Sequence, residues 1–200
     1  MTAASTPKGE RRRATLIEAA AQLLIEGGFD AVRHRAVAER AGLPLASTTY
    51  YFDSLEDLIM AAVEHGGRVE LDRGRAQLAK LSTEHRDVDA LVELVLDQML
   101  GVDARFEVLL LRYERFVTTG RRPYLQPLMR SMQGEFHELL TEIFTRSGFP
   151  IDRKRLQQLI ALVDGAIVNA LIEVDPDPRA VARAMLHDAL MRPGAAGRRE

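Results

Sequence analysis

An all-α protein is predicted, and three observations predict it. Apolar residues recur at the three-to-four spacing of helices along almost the whole chain. The strict alternation that marks half-buried strands is absent, and glycine, proline and aspartate cut the chain into helix-length pieces. The predicted architecture is an N-terminal three-helix unit containing a helix-turn-helix, followed by a larger C-terminal helical domain.

Each element has its own signal. A first helix is expected over about 10–26, with Leu16, Ile17, Ala20, Ala21 and Leu24 on one face and Gly27-Gly28 as its stop. Phe29 then packs the turn. Two short helices follow, one over about 35–41 that runs into Ala41-Gly42-Leu43, the next ending at Tyr50-Tyr51-Phe52. Asp53-Ser54 caps a long helix from Leu55, with Glu56 and Asp57 at its positive end. Gly66-Gly67 and Gly74 lie inside it, each costing about 1 kcal/mol relative to alanine, so a bend and simple tolerance of glycine are both open. Five more helices are expected over about 87–100, 103–118, 125–147, 152–174 and 177–192. Asp177-Pro178 pairs an acidic cap with proline at the first helical position. Pro127 lacks a backbone donor, so its helix starts late or kinks. Residues 193–200 carry no core positions and are expected to form a disordered tail.

Composition excludes several function classes. The 200 residues hold 46% apolar and 28% charged side chains, an ordinary globular balance. With no cysteine, disulfides, thiolate metal sites and a cysteine nucleophile are ruled out. The five histidines show no ligand spacing, and no metal or cofactor is expected. Gln157, Gln158, Asp164 and Asn169 interrupt the longest apolar run, which argues against a membrane span, and no secretory signal is visible, so the expected location is the cytoplasm. Net charge is −2, but phosphate attraction depends on local clusters. Lys8, Arg11, Arg12 and Arg13 form one such cluster, and Arg33, Arg35 and Arg40 another.

The two short helices joined through Gly42 have the form of a helix-turn-helix, whose second helix enters the DNA major groove. That second helix reads Leu45-Ala46-Ser47-Thr48-Thr49-Tyr50-Tyr51. Hydroxyl groups of serine and threonine bond phosphates or base edges, and tyrosines place a hydroxyl on phosphate while their rings pack below. Arg33 and Arg35 complete the predicted DNA-contact set. His34 is read equally as a packed, hydrogen-bonded residue or as a DNA contact.

Gly28-Phe29, Val37-Ala38-Glu39-Arg40-Ala41-Gly42-Leu43, Tyr50-Tyr51-Phe52 and Ser54-Leu55-Glu56-Asp57-Leu58 together resemble the N-terminal domain of TetR-like (tetracycline-repressor-like) bacterial transcriptional regulators. The resemblance covers roughly 11–63. Four features depart from the family pattern. Pro44 replaces the usual serine cap, placing proline in the first turn of the second short helix. Leu45 and Leu55 stand where lysine is common. Thr48 and Thr49 replace larger apolar or aromatic residues. Arg33 takes a hydroxyl-cap position, and His34 an apolar one.

The resemblance implies a DNA-binding domain over 9–69, an effector-binding and dimerisation domain over 70–192, and the long helix from Leu55 as the lever between them. It implies a homodimer built through the last two helices, binding a palindromic double-stranded DNA operator as a repressor that a small molecule releases. Leu156, Leu159, Ile160, Val163, Ile167, Ala170, Leu171 and Val174 form an apolar stripe, as do Val181, Met185, Leu186, Ala189 and Leu190. An intramolecular core explains these stripes as well as a dimer does; Ala161, Gly165 and Ala166 would allow close helix approach. For the effector, the expected lining includes Phe106, Leu110, Arg112, Tyr113, Phe116, Phe136, Asp164 and Asn169, a set suited to a small apolar or amphipathic compound. No catalytic residues are assigned: no Gly-rich phosphate loop, nucleophile elbow or metal spacing is present. A helix-turn-helix regulator without effector, and less so a helical enzyme or carrier, are the alternatives.

Overall fold

The computed structural model describes residues 6–101 and 104–192, and the described residues contain nine α-helices and no strand. The helices are α1 (Pro7–Ala31), α2 (His34–Ala41), α3 (Leu45–Tyr51), α4 (Leu55–Lys80), α5 (Val88–Leu100), α6 (Phe106–Thr119), α7 (Gln126–Arg146), α8 (Arg153–Ile172) and α9 (Pro178–Met191). The expected tail over 193–200, and the start expected at Asp103, lie outside the described residues.

The helix starts follow capping chemistry. The side chains of Thr6, Asp87, Asp152 and Asp177 accept from the backbone N–H three residues on, at 3.1, 2.7, 2.8 and 2.9 Å. The Ser54 hydroxyl does the same for Asp57 at 3.0 Å. Thr6 followed by Pro7 starts α1 three residues earlier than the apolar pattern alone indicates, because the arginine-rich first turns carry no core residues. Gly27 and Gly28 leave helical geometry, Gly28 at φ +66°, and turn Phe29 inward. Pro127 falls in the first turn of α7, after a 3-10 turn at Pro123–Leu125, so its missing donor costs no helical bond.

Contacts divide the chain into two units: residues 1–72 with 111–132, and residues 73–110 with 133–200. In the first, Leu16, Ala20 and Leu24 of α1, Val37 of α2, Phe52 just after α3, and Leu58, Ile59 and Ala62 of α4 form one core. Leu125, fully buried, joins that core from far along the chain. Beside it the Arg122 guanidinium lies 3.9 Å from the Phe29 ring centroid, and Gly67 of α4 leaves room for the Met132 side chain.

In the second unit α8 packs on α9 and α9 on α5. Arg179 bonds Glu93 and Asp97, both at 2.7 Å, and Arg183 bonds Glu93. These partners hold the Glu93 carboxyl below its ordinary range, the Arg183 bond being the larger cause. Arg146 donates to the Leu78 carbonyl at 2.9 Å, satisfying the C-terminal end of α4. A β-carbon on Gly74 would lie 2.5 Å from both the Gln98 amide oxygen and a Leu139 methyl. Beside the bend and the simple tolerance expected for the glycines of α4, Gly74 has a third reason, close approach of neighbouring side chains, whereas a β-carbon on Gly66 would meet nothing.

The stripe on α8 is a core stripe. Leu156, Leu159, Val163, Ala166, Ile167 and Ala170 are buried within the chain, with Ala182 and Leu186 of α9. Val174 lies past the end of α8 with φ +57°, most of its side chain exposed. The outward side of α8 carries Ala161, Gly165, Val168 and Ile172.

Candidate nucleic-acid interface

The turn between α2 and α3 is built by Gly42, at φ +64°, whose left-handed conformation closes α2. Leu43 then donates to the Ala38 carbonyl at 3.0 Å. Pro44 is the residue before α3 rather than part of its first turn, a correction to the expected placement. Its φ of −57° and ψ of 144° are the extended values proline favours, so it aims the chain into the helix without a side-chain cap. Arg33 likewise stands before α2 without capping it, and donates back to the Asp30 carbonyl at 3.2 Å.

The run Leu45–Tyr51 divides by helical phase. Leu45, Ala46, Thr49 and Tyr50 face solvent, with Leu45 53% and Tyr50 58% exposed. Ser47 and Tyr51 are half-buried, and the Tyr51 ring meets Tyr50 edge-on at 4.9 Å. Thr48 is fully buried and donates its hydroxyl to the Leu45 carbonyl at 2.8 Å. This removes Thr48 from the expected DNA-contact set: three residues of hydroxyl run span nearly a full helical turn, so one of them must face inward.

Between the start of α1 and α3 lies an open groove of about 460 Å³, lined by Thr6, Lys8, Gly9, Arg12, Pro44, Ala46, Ser47, Tyr50 and Tyr51. Lys8 and Arg12 of the N-terminal basic cluster thus flank the exposed side of α3. Lys8 and Arg12 are legible as charge but not as part of one site, since only the packing of α1 on α2, and of α2 on α3, brings them there. Arg13, one residue on, instead lies 5.1 Å over the Phe52 ring. On α2, Arg35 pairs with Glu39 at 3.0 Å on the surface, and Arg40 is held by Glu26 through two bonds of 2.8 and 2.6 Å. Arg33 and Arg35 are both exposed. The His34 Nδ1 is buried without a hydrogen-bond partner, so the packed reading of His34 holds in part, without its hydrogen bond at that atom.

The expected effector residues fall in both units. Arg112, Tyr113 and Phe116 belong to the first unit, and Phe106, Leu110, Phe136, Asp164 and Asn169 to the second. Leu110, Phe116 and Asn169 of this expected set are exposed. The second unit has a small cavity of about 160 Å³ lined by Gln77, Leu78, Leu81, Leu94, Asp97, Gln98 and Ile143, none of them in that set. Its residues come from three helices at unrelated sequence positions, which no local pattern marks. Among the described residues no cluster of histidine, aspartate and glutamate could hold a metal.

A glycine-turned helix pair, with a solvent-facing second helix flanked by cations on an all-helical body, defines a helix-turn-helix DNA-binding protein. Family models agree in order along the chain. Residues 16–62 match the one described as bacterial regulatory proteins, tetR family, and residues 86–192 the one described as tetracyclin repressor-like, C-terminal domain. The chain belongs to the TetR family of DNA-binding transcriptional regulators. It is 28% identical over 175 residues, 81% of each chain, to an uncharacterized HTH-type transcriptional regulator, YfiR, of Bacillus subtilis (strain 168). Among solved structures it is similar to the multidrug binding protein EbrR complexed with ethidium, at 30% identity and a TM-score of 0.67. That match covers 89% of this chain and 98% of EbrR. A TetR-family member from Streptomyces coelicolor A3, SCO1917, is 30% identical with a TM-score of 0.62, over 89% and 97% of the two chains.

Proposed function

We propose that the protein is a homodimeric repressor that binds a palindromic operator through α3 and is released by a small-molecule effector. The observation that carries the DNA part is the groove beside α3, where exposed Ala46 and Tyr50 share one surface with Lys8 and Arg12. Leu45, Ala46, Ser47, Thr49 and Tyr50 are then the side chains nearest the bases. Lys8, Arg12, Arg33, Arg35 and the Tyr51 hydroxyl serve the phosphates. In this reading residues 9–69 are the DNA-binding domain and 70–192 the effector and dimerisation domain, in the cytoplasm and without enzymatic activity.

Dimerisation is supported by α8. Over an 18-residue window its mean hydropathy is 1.3, yet only 33% of that window is buried within the chain. By length and composition the helix could cross a membrane. Asp164 and Asn169 along it, and the packing of its other face on α9, favour a protein partner. The small residues Ala161 and Gly165, with Val168 and Ile172, let a second copy approach closely; no atom would meet a β-carbon on Gly165. A two-fold dimer sets two α3 helices about 34–36 Å apart, the spacing of successive major-groove half-sites. EbrR, whose structure holds ethidium, supports an effector for this chain as well.

The test is a gel shift and footprint on DNA flanking the gene. A salt-sensitive, sequence-selective footprint on a palindrome is expected, lost on adding an effector. Equal affinity for operator and random DNA at every salt concentration overturns the reading.

A further inference from the structure

Gln98 on α5 is buried in the second unit, 7% exposed, and among the described residues no group is hydrogen-bonded to its side-chain amide. Burying an amide without a partner costs free energy, because its bonds to water are lost and not replaced. Gly74 of α4 makes room for it: a β-carbon there would lie 2.5 Å from the amide oxygen and 2.6 Å from the nitrogen. The same residue lines the cavity of about 160 Å³ in this unit. Leu78 and Leu81 of α4, Leu94 of α5 and Ile143 of α7 make most of the wall apolar, and the exposed Gln77 stands at its mouth. Asp97 also lines it, but its carboxylate already accepts from Arg179 at 2.7 Å.

An apolar cavity of about 150 Å³ holds one benzene, so this volume suits a single six-membered ring rather than a fused system. Water filling it would serve the amide but leave the leucines and the isoleucine wetted. The glutamine amide offers an acceptor and a donor side by side. A lactam, whose ring holds N–H and C=O on the same side, makes two parallel hydrogen bonds with such a pair. The Asp97 carboxylate repels an anion, and its bond to Arg179 leaves it less to offer a cation. We propose that this cavity is the effector site and that the effector is a small neutral single-ring lactam, paired with the Gln98 amide and seated on Leu78, Leu81, Leu94 and Ile143. This inference rests on the effector reading above and narrows it: ethidium, the ligand in the EbrR structure, is a fused-ring cation, which neither this volume nor this wall suits.

The test is isothermal titration of the full-length protein with δ-valerolactam and 2-pyridone, each beside its N-methyl form, and with benzoate and ethidium. N-methylation keeps the acceptor and removes the donor. At least one lactam is expected to bind about tenfold or more tighter than its N-methyl form, a difference of about 1.4 kcal/mol, and to release operator DNA in a gel shift. Gln98→Leu should abolish that preference, and Leu94→Phe, which fills the cavity, should weaken lactam and N-methyl form alike. The melting temperature of free Gln98→Leu should hold or rise, since the substitution removes an amide that bonds nothing. Lactam and N-methyl form binding equally, a preference that survives Gln98→Leu, or benzoate binding as tightly as the lactams overturns the site. A lactam that binds but releases no DNA overturns its role as effector. Ethidium releasing DNA with no lactam bound overturns the inference while leaving the effector reading standing. If no compound binds and none releases DNA, both readings fall.

Discussion

At α3, Thr48 and Thr49 are adjacent in sequence, about 100° apart around the helix, and only Thr49 faces solvent. Thr48 sits in the core with its hydroxyl on the Leu45 carbonyl, while Thr49 faces solvent. Thr48→Val should therefore leave the ratio of operator to random-DNA affinity unchanged, and alter stability by about 1 kcal/mol or less. Thr49→Ala should reduce that ratio, by about 1–3 kcal/mol if the side chain reads a base. Lys8→Ala or Arg12→Ala should weaken both affinities alike and lower the salt slope by about one unit each. Competition binding at several salt concentrations separates the three outcomes. Thr48 was misread because its residue type suits DNA; helical phase against the α1 and α4 core, which is tertiary information, decides its direction.

Helices were the most legible level, because apolar spacing and caps are local. Asp87, Asp152 and Asp177 each cap the helix whose start they mark in the sequence. The glycines of α4 were not legible, since a glycine in a helix looks the same whether it faces a neighbour or solvent. The structure separates them. Gly74→Ala should destabilise by about 1–3 kcal/mol, because a methyl group there displaces the Gln98 amide and Leu139 together. Gly66→Ala meets nothing and should stabilise by about 0.5–1 kcal/mol through the gain in helix propensity. Urea unfolding of the two variants gives opposite shifts in midpoint; shifts of the same sign would contradict the packing at Gly74.

For the whole molecule, assembly and pH response follow from faces that no single helix defines. Val168→Glu, on the outward side of α8, should shift the protein from dimer to monomer by light scattering and abolish operator binding while leaving helical content intact. An unchanged dimer would remove α8 from the interface. Burial, with the nearby Arg153 charge, holds the His137 imidazole below its ordinary value of 6.5. Protons then bind the unfolded chain more readily than the folded one, so stability should fall as pH drops through about 6.5 and level off below the folded value. His137→Gln should remove part of that fall, measured as urea midpoints between pH 7.5 and 5.5; an identical slope would assign the pH response to other groups.

By itself the sequence determined the all-α class, the helix order, the caps, the helix-turn-helix and the family that its motif resembles. These rest on periods of three to four residues and on side chains that bond within their own turn, so a single chain displays them. Only the tertiary structure decided which hydroxyl of α3 turns inward, that the α8 stripe is core while Ala161, Gly165, Val168 and Ile172 stay outside, and that Leu125 completes a core whose other members precede it by more than sixty residues. Burial and charge balance are sums over neighbours that are distant along the chain, and no local pattern carries them.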